Sequence, residues 1–234
     1  MPGSGRPRAV EIYPSLWAIV SDVPLARYGP ERLDAHLHDI NWVADIGVRH
    51  EAVIEHIAAM PRATVLPMKL FTMFSSMDRA LEDLRGRRRD LGAILRRVRG
   101  CHEWGVRVTR VASAPPPRRE VAATSSGTAF LTAKKRVRDE ARDHLVKSSD
   151  AAESAFASLS AHARAAVRRE PPSGAATPPL VDAAFLVKAS SRARFRAAAT
   201  RAAAVCRDAG AALSVSGPWP PYNFISGSDA RGPA

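Results

Sequence analysis

Apolar positions along the chain change period several times, and each change predicts an element. Leu16-Trp17-Ala18-Ile19-Val20 is a continuous apolar run, which predicts a central strand. Pro24 and Gly29-Pro30 are turn signals, and Pro30 suits the first position of a helix carrying Leu33, Leu37 and Ile40. Val53, Ile54, Ile57 and Ala58 share one face of a second helix, which Pro61 stops. Thr64-Val65-Leu66, next to Pro67, predicts a short strand. Ser76 is a candidate cap for a helix with Ala80, Leu81 and Leu84 inward. Leu91, Ile94, Leu95 and Val98 face a following segment; Gly86 and Gly92 argue against one continuous helix, and Gly100 closes it. Trp104, Val106 and Val108 then alternate with Gly105, Arg107 and Thr109, the period of a half-buried strand.

Ala112 to Pro117 holds three successive prolines and breaks the pattern, so a domain boundary is expected there. Beyond it, Phe130, Val137, Ala141, Leu145, Ala152, Phe156, Leu159 and Ala163 recur at near-heptad spacing, which predicts helix as far as about Arg169. A helix of ~40 residues would span ~60 Å, so it should fold back as an antiparallel pair, with Ser148-Ser149-Asp150 as a possible break, or meet another protein. Glu170 to Pro179 reads as a loop and Leu180 to Val187 as a buried strand. A helix capped by Ser190 or Ser191 carries Phe195, Ala198, Ala199, Ala202, Val205 and Ala209 on one face and ends at Gly210. Ala212 to Val215 is a last short strand, which completes a split βαβ unit.

Composition narrows the function class. Hydrophobic content of 46% is that of a globular protein, but a formal net charge of +12, mostly from arginine, is unusual. Such charge reads either as a solvated surface or as a surface for an anionic partner. The densest cluster is Arg85, Arg87, Arg88, Arg89, Arg96, Arg97 and Arg99. Trp104 has no second aromatic two residues away, so the paired base-stacking platform of an RNP-type sheet is missing. Nucleic acid is therefore not an expected partner; acidic groups of a partner protein fit the cluster at least as well, beside the plain reading of a solvated helix face.

Cys101 and Cys206 have no CxxC neighbour, so neither a disulfide framework nor a zinc site is expected. His50-Glu51 and Glu55-His56 invite a metalloprotease reading, but that motif needs histidines four apart; these lie six apart, about 240° round a helix. His50 falls at the end of the apolar stripe and is expected to pack. His36 and His38 cannot face one ligand from a helix. No GxGxxG, P-loop or GxSxG is present. The expectation is no catalytic, cofactor-binding or metal residue, no cofactor and no small-molecule substrate. No apolar run reaches the ~20 residues of a membrane span and no signal peptide is visible, so a cytoplasmic chain without a membrane partner is expected.

Four ordered stretches resemble the gas vesicle protein GvpF/GvpL family. The first comprises His50, Val53, Ile54, Val65, Leu66, Pro67, Thr72, Phe74 and Ser75; Lys69, Leu70 and Phe71 stand where the family more often has Arg, Phe and Gly. The second is Arg99 to Val108, around Glu103-Trp104. The third is Gly127 to Lys135, and the fourth is Ser216-Gly217-Pro218-Trp219-Pro220-Pro221-Tyr222-Asn223-Phe224. The resemblance implies an N-terminal ferredoxin-like domain and a C-terminal α+β domain with coiled-coil helices. It also implies a non-enzymatic accessory or minor structural protein of gas vesicle assembly, in the cytoplasm or on the vesicle, whose partners are the shell protein GvpA and other accessory Gvp proteins. The alternative is a basic nucleic-acid-binding or regulatory module.

The expected architecture is α+β in two domains: a disordered stretch over 1–12, an N-terminal α+β domain over 13–113, a linker over 114–126, a C-terminal α+β domain with long helices over 127–226, and a disordered tail over 227–234. Cleavage in the linker is expected to release two stable fragments. The Trp219 to Phe224 segment is expected to close the C-terminal domain, since its aromatics carry too much apolar surface to leave in water.

Overall fold

The alternation from Cys101 to Arg110 produces the strand on which the larger sheet is built. The computed structural model describes residues 5–111, 127–170 and 177–225, a mixed α and β chain. By their contacts the residues fall into two units, Gly100–Trp219 and a second made of the residues up to Arg99 together with those from Pro220.

The Gly100–Trp219 unit contains β3 (Cys101–Arg110), α6 (Gly127–Ser160), β4 (Ala165–Arg168), β5 (Val181–Lys188), α7 (Arg192–Asp208) and β6 (Ala211–Trp219). Its sheet has the order β4-β5-β3-β6, with every neighbouring pair antiparallel. β5 and β6, joined through α7, therefore run parallel with β3 between them. The split βαβ unit expected from sequence is present, and β3-α6-β4 completes the βαββαβ arrangement of a ferredoxin-like fold.

One sheet face carries the core. Trp104 pairs with Phe185, Val106 with Ala183 and Val108 with Val181, so six apolar side chains point the same way. Against them pack Ala152, Ala155 and Leu159 of α6 and Phe195, Ala198, Ala202 and Cys206 of α7, all buried. The ring of Phe185 lies 5.6 Å from Phe156 and 5.5 Å from Phe195, and Trp104 lies 5.9 Å from Phe195, tilted geometries that favour aromatic quadrupoles. Alanine on both helices leaves room for this aromatic layer. Val205, expected on the inner face of α7, is 53% exposed; Cys206 takes the inward position. Burial holds the Cys206 thiol above its ordinary pKa.

The other unit holds the hairpin β1 (Arg8–Tyr13) and β2 (Leu16–Val20), then α1 (Leu25–Tyr28), α2 (Pro30–Leu37), α3 (Ile40–Ala58), α4 (Met77–Gly86) and α5 (Arg88–Val98). Pro30 opens α2, the Asp39 carboxylate accepts from the Asn41 and Trp42 amides at the start of α3, and Ser76 Oγ accepts from the Arg79 amide at the start of α4. Ile12, Leu84 and Leu91 form a small core, joined by Leu16, Ala18, Leu66 and Met68.

Several expectations are corrected. The ferredoxin-like arrangement lies in Gly100–Trp219, whereas the described N-terminal residues form only a two-stranded sheet. β3, placed by sequence in the N-terminal domain, pairs with β5 and β6, so the division falls near Gly100 and not at 113/114. The stretch 1–12, expected disordered, includes most of β1. Thr64-Val65-Leu66 joins no ladder. The buried Pro67 has no N–H to donate, and the Met68 carbonyl is bonded to the His50 ring at 3.1 Å. α6 is one unbroken helix, not a pair: Ser148 is buried, and its hydroxyl donates to the Leu145 carbonyl at 3.0 Å, which satisfies it inside the helix. α6 stops at Ser160 and not near Arg169, because Ala165–Arg168 pair with β5, a ladder that overrides the helix propensity of alanine. The expected linker over 114–126 and tail over 227–234 lie outside the described residues.

This topology changes the expected result of cleavage. After cutting at a protease site engineered into 112–126, the two pieces should co-elute on size exclusion, since β3 is hydrogen-bonded on both edges to strands of the later piece. Separation without denaturant would refute the β5-β3-β6 order.

Candidate functional site

The residues of the first family-like stretch build a support. His50 and Ile54 lie on α3, with Ile54 buried and His50 bonded to the Met68 carbonyl, so the histidine is a structural tie as its spacing implied. The hydroxyl and amide of Thr72 both bond the Lys69 carbonyl, at 2.7 and 3.1 Å, which closes a turn. That turn presents Phe71, whose ring stacks on Trp42 at 5.6 Å between centroids and 1° between planes. His36 stacks on Trp42 at 4.7 Å, and Tyr28 tilts against it at 5.9 Å. Phe71 has φ +61°, the left-handed region where a side chain is strained. It stands where the family pattern more often has glycine, the residue that adopts this conformation freely. The stack on Trp42 offsets the strain. Sequence reading missed Trp42 because no periodicity marks an aromatic cluster drawn from three helices and a turn.

The other histidines are separate. His38 Nδ1 lies 2.9 Å from the Asp34 carbonyl, while the His36 ring is stacked on Trp42. Among the described residues no three His, Cys, Asp or Glu side chains could hold a metal ion.

The fourth stretch divides in two. Trp219 ends β6 opposite Glu103. Gly217 makes this pairing possible: its φ is +115°, and a Cβ would sit 2.8 Å from the Glu103 carbonyl oxygen. From Pro220 onward the chain belongs with the N-terminal elements. Pro220, Pro221 and Phe224 are buried, the Tyr222 hydroxyl donates to the Glu51 carboxylate of α3, and Arg97 of α5 donates to the Phe224 carbonyl. The expectation that this segment closes the C-terminal domain is therefore corrected: the tyrosine and phenylalanine bond to α3 and α5. Their polar atoms need a partner, and sequence cannot say which unit supplies it.

The arginine cluster is divided as well. Arg85 Nε donates to the Ile12 carbonyl at 3.2 Å, Arg88 lies over the Tyr13 ring at 4.7 Å, and Arg87 pairs with Asp83 at 3.4 Å. With Arg97 on Phe224, three of the seven arginines fasten α4 and α5 to the hairpin and to the C-terminal segment. On the sheet face opposite the core, the buried Asp182 carboxylate sits between two arginines. Arg107 donates at 2.7 and 2.9 Å to one oxygen, and Arg169 donates at 2.7 Å from Nε to the other. His162, Arg164, Lys188 and Arg194 line a shallow cleft of about 380 Å³ beside the start of α7, with no carboxylate in its lining.

The clearest surface available to a partner is on the hairpin. Ala9 pairs with Ile19 and Glu11 with Trp17, so these side chains share the face opposite Ile12. Trp17 is 54% and Ile19 41% exposed, an apolar strip of the kind that marks an interaction surface. The sequence hid it: all five residues of β2 are apolar, so the run reads as buried on both faces, yet the hairpin is covered on one.

The sequence model of the family described as "Gas vesicle synthesis protein GvpL/GvpF" matches residues 3–226. The chain is 29% identical over 232 residues to gas vesicle protein L of a Streptomyces species (strain CB03234), covering 94% of this chain and 84% of that one. It is 28% identical over 223 residues to gas vesicle protein F2 of Halobacterium salinarum, covering 95% and 82%. Among solved structures, GvpF from Anabaena sp. PCC7120 superposes with a TM-score of 0.62 at 15% identity, over 94% of this chain and 88% of that one. GvpF from Microcystis aeruginosa superposes with a TM-score of 0.55 at 12% identity, over the same shares.

Two outcomes test these assignments. Phe71→Gly should change stability by no more than ~1 kcal/mol, since relief of about 1–2 kcal/mol of left-handed strain balances a lost stack of about 0.5–1.5 kcal/mol. Phe71→Ala keeps the strain and loses the stack, so its denaturant midpoint should fall clearly below that of the glycine variant; the reverse order would refute the balance. Truncation after Trp219 removes the burial of Phe224, about 1.5–3 kcal/mol. Hydrogen exchange should then quicken in α3 and α5 and stay unchanged in β5 and α7. Loss of protection in α7 instead would restore the sequence-based expectation.

Proposed function

The chain belongs to the GvpL/GvpF family of gas vesicle synthesis proteins, and from that premise we propose that it is an accessory or minor structural protein of gas vesicle assembly. It works by contact with a small shell protein of the GvpA type and with other accessory Gvp proteins, in the cytoplasm or at the vesicle. The observation that carries this reading is the family match over residues 3–226, supported by relatives named gas vesicle proteins L and F2 that align with nearly the whole chain. The likeness to the two GvpF structures supports the fold alone.

The reading assigns no reaction, cofactor or small-molecule substrate. It gives the exposed Trp17 and Ile19 a purpose, as apolar area covered by a partner. The arrangement of the arginines weighs against the nucleic-acid alternative. Guanidinium groups already bonded to the carbonyls of Ile12 and Phe224, or laid over Tyr13, are poorly placed to neutralise phosphates.

Coexpression with a tagged GvpA-type shell protein is the test. The chain should be captured, and the double variant Trp17→Ser, Ile19→Ser should be captured at least tenfold less while keeping its melting temperature. Duplex DNA should bind weakly, with affinity lost at physiological salt. Absence of capture, or sub-micromolar sequence-specific DNA binding at that salt, would overturn the proposal.

A further inference from the structure

The core-facing stripe of α6 continues past the core. Within the unit, Ser148, Ala152, Ala155 and Leu159 are buried. Stepping back by three or four residues from Ser148 gives Leu145, Ala141 and Val137, which lie on the same face of the helix. There the surroundings change: from Leu131 to Lys147 every described side chain is exposed, with Leu145 40% and Val137 51% exposed. His144 marks where the helix meets the rest of its unit. Its ring lies so close to Gly210 (φ +76°) that a Cβ on the glycine would sit 2.0 Å from the ring. N-terminal to that point, over the ~20 Å of helix from Leu131, the apolar stripe has no cover among the described residues.

Charge beside the stripe selects what covers it. Lys134 to Lys147 carries six lysines and arginines against three carboxylates. Arg138 and Arg142 line one edge of the stripe, and Lys134, a heptad before Ala141, stands at its N-terminal end. Lys134 and Arg142 have no ion pair among the described residues, and Arg138 reaches Asp139 only at 3.9 Å. A second copy of this helix would bring like charges together. A nucleic-acid backbone would find cations but nothing to match Val137, Ala141 and Leu145. An amphipathic helix with apolar residues at heptad positions and carboxylates along one flank matches both features.

We propose that the exposed half of α6 pairs with an acidic amphipathic helix of a partner protein in a short coiled coil. This deepens the preceding reading, since it rests on the chain working through protein contacts, and it is separate from the hairpin strip. The probe is a labelled 28-residue helical peptide with Leu at a and d and Glu at e and g, measured against the full chain by fluorescence anisotropy at physiological salt. The expected result is saturable binding. It should weaken at least tenfold for the full-length double variant Val137→Glu, Leu145→Glu and for the triple variant Lys134→Glu, Arg138→Glu, Arg142→Glu, with circular dichroism and melting temperature unchanged because these residues are exposed. Equal binding of a scrambled peptide of the same composition would overturn the proposal, as charge alone would then explain it. So would failure of the peptide to bind, dimerisation of the free chain that Leu145→Glu abolishes, or slow thiol labelling of Val137→Cys in the free chain, which would mean that the chain covers its own stripe. Loss of shell-protein capture with these results intact would refute the assembly role and leave the helix pairing standing.

Discussion

The ferredoxin-like unit depends on one strand being paired on both edges. β3 is ten residues long, and its residues pair with β5 on one side and β6 on the other. Its register decides which face each residue takes. Trp104, Val106 and Val108 meet the two helices, while Arg107 turns to the opposite face, where it finds Asp182 directly across the ladder. A slip of one residue would put Trp104 on the outer face and leave the buried Asp182 without its opposing arginine. The apolar layer and the charged pair therefore enforce the same register from opposite faces. Both partners are distant in sequence: Arg107 and Asp182 are 75 residues apart. Closing loops of that length opposes folding, and the burial of Trp104, Phe185, Phe195 and Phe156 against the ladder offsets that cost.

This distance also explains what was legible in the sequence. Elements whose cause is local were read well. The alternation of β3, the apolar run of β5, the inner face of α7 through Phe195, Ala198, Ala199 and Ala202, the proline start of α2 and the Ser76 cap all depend on neighbours within a few residues. The pairing of β3 does not. The prolines of 115–117 look like a boundary, but a composition break tells nothing about which strands bond across it. The same holds for the C-terminal segment, where the aromatic residues announce burial but not the α3 and α5 groups that receive them.

The other misreadings came from side chains that replaced backbone partners. Thr64 to Leu66 has the composition of a strand, yet the His50 ring takes the neighbouring Met68 carbonyl and Pro67 offers no amide. Ser148 to Asp150 has the composition of a helix break, yet the Ser148 hydroxyl is satisfied within its own helix, and the turn is kept. Phe71 occupies a glycine conformation because Trp42, nearly thirty residues earlier, supplies the stack. At Pro67 and Phe71 a local propensity of a few tenths of a kcal/mol to about 1 kcal/mol met a tertiary contact of equal or larger size, whereas at Ser148 the contact is local, to the carbonyl three residues earlier.

The charge follows a similar rule with a functional consequence. Counted along the chain, the arginines between Arg85 and Arg99 are the basic patch; in the fold several of them hold the hairpin and the C-terminal segment. The guanidinium group suits that work, since it bonds carbonyls and stacks on rings while remaining charged. Further cations face water along α6 and around the cleft beside α7. Long-range attraction from such charges is screened within about 8 Å at physiological salt, so it draws in an acidic partner without fixing its orientation. Orientation needs contacts that act only at close range, and the chain offers them as apolar strips, Trp17 with Ile19 on the hairpin and Val137 with Leu145 on α6. On α6 the two kinds of feature lie side by side on one rigid element, which lets a single surface both attract a partner and align it.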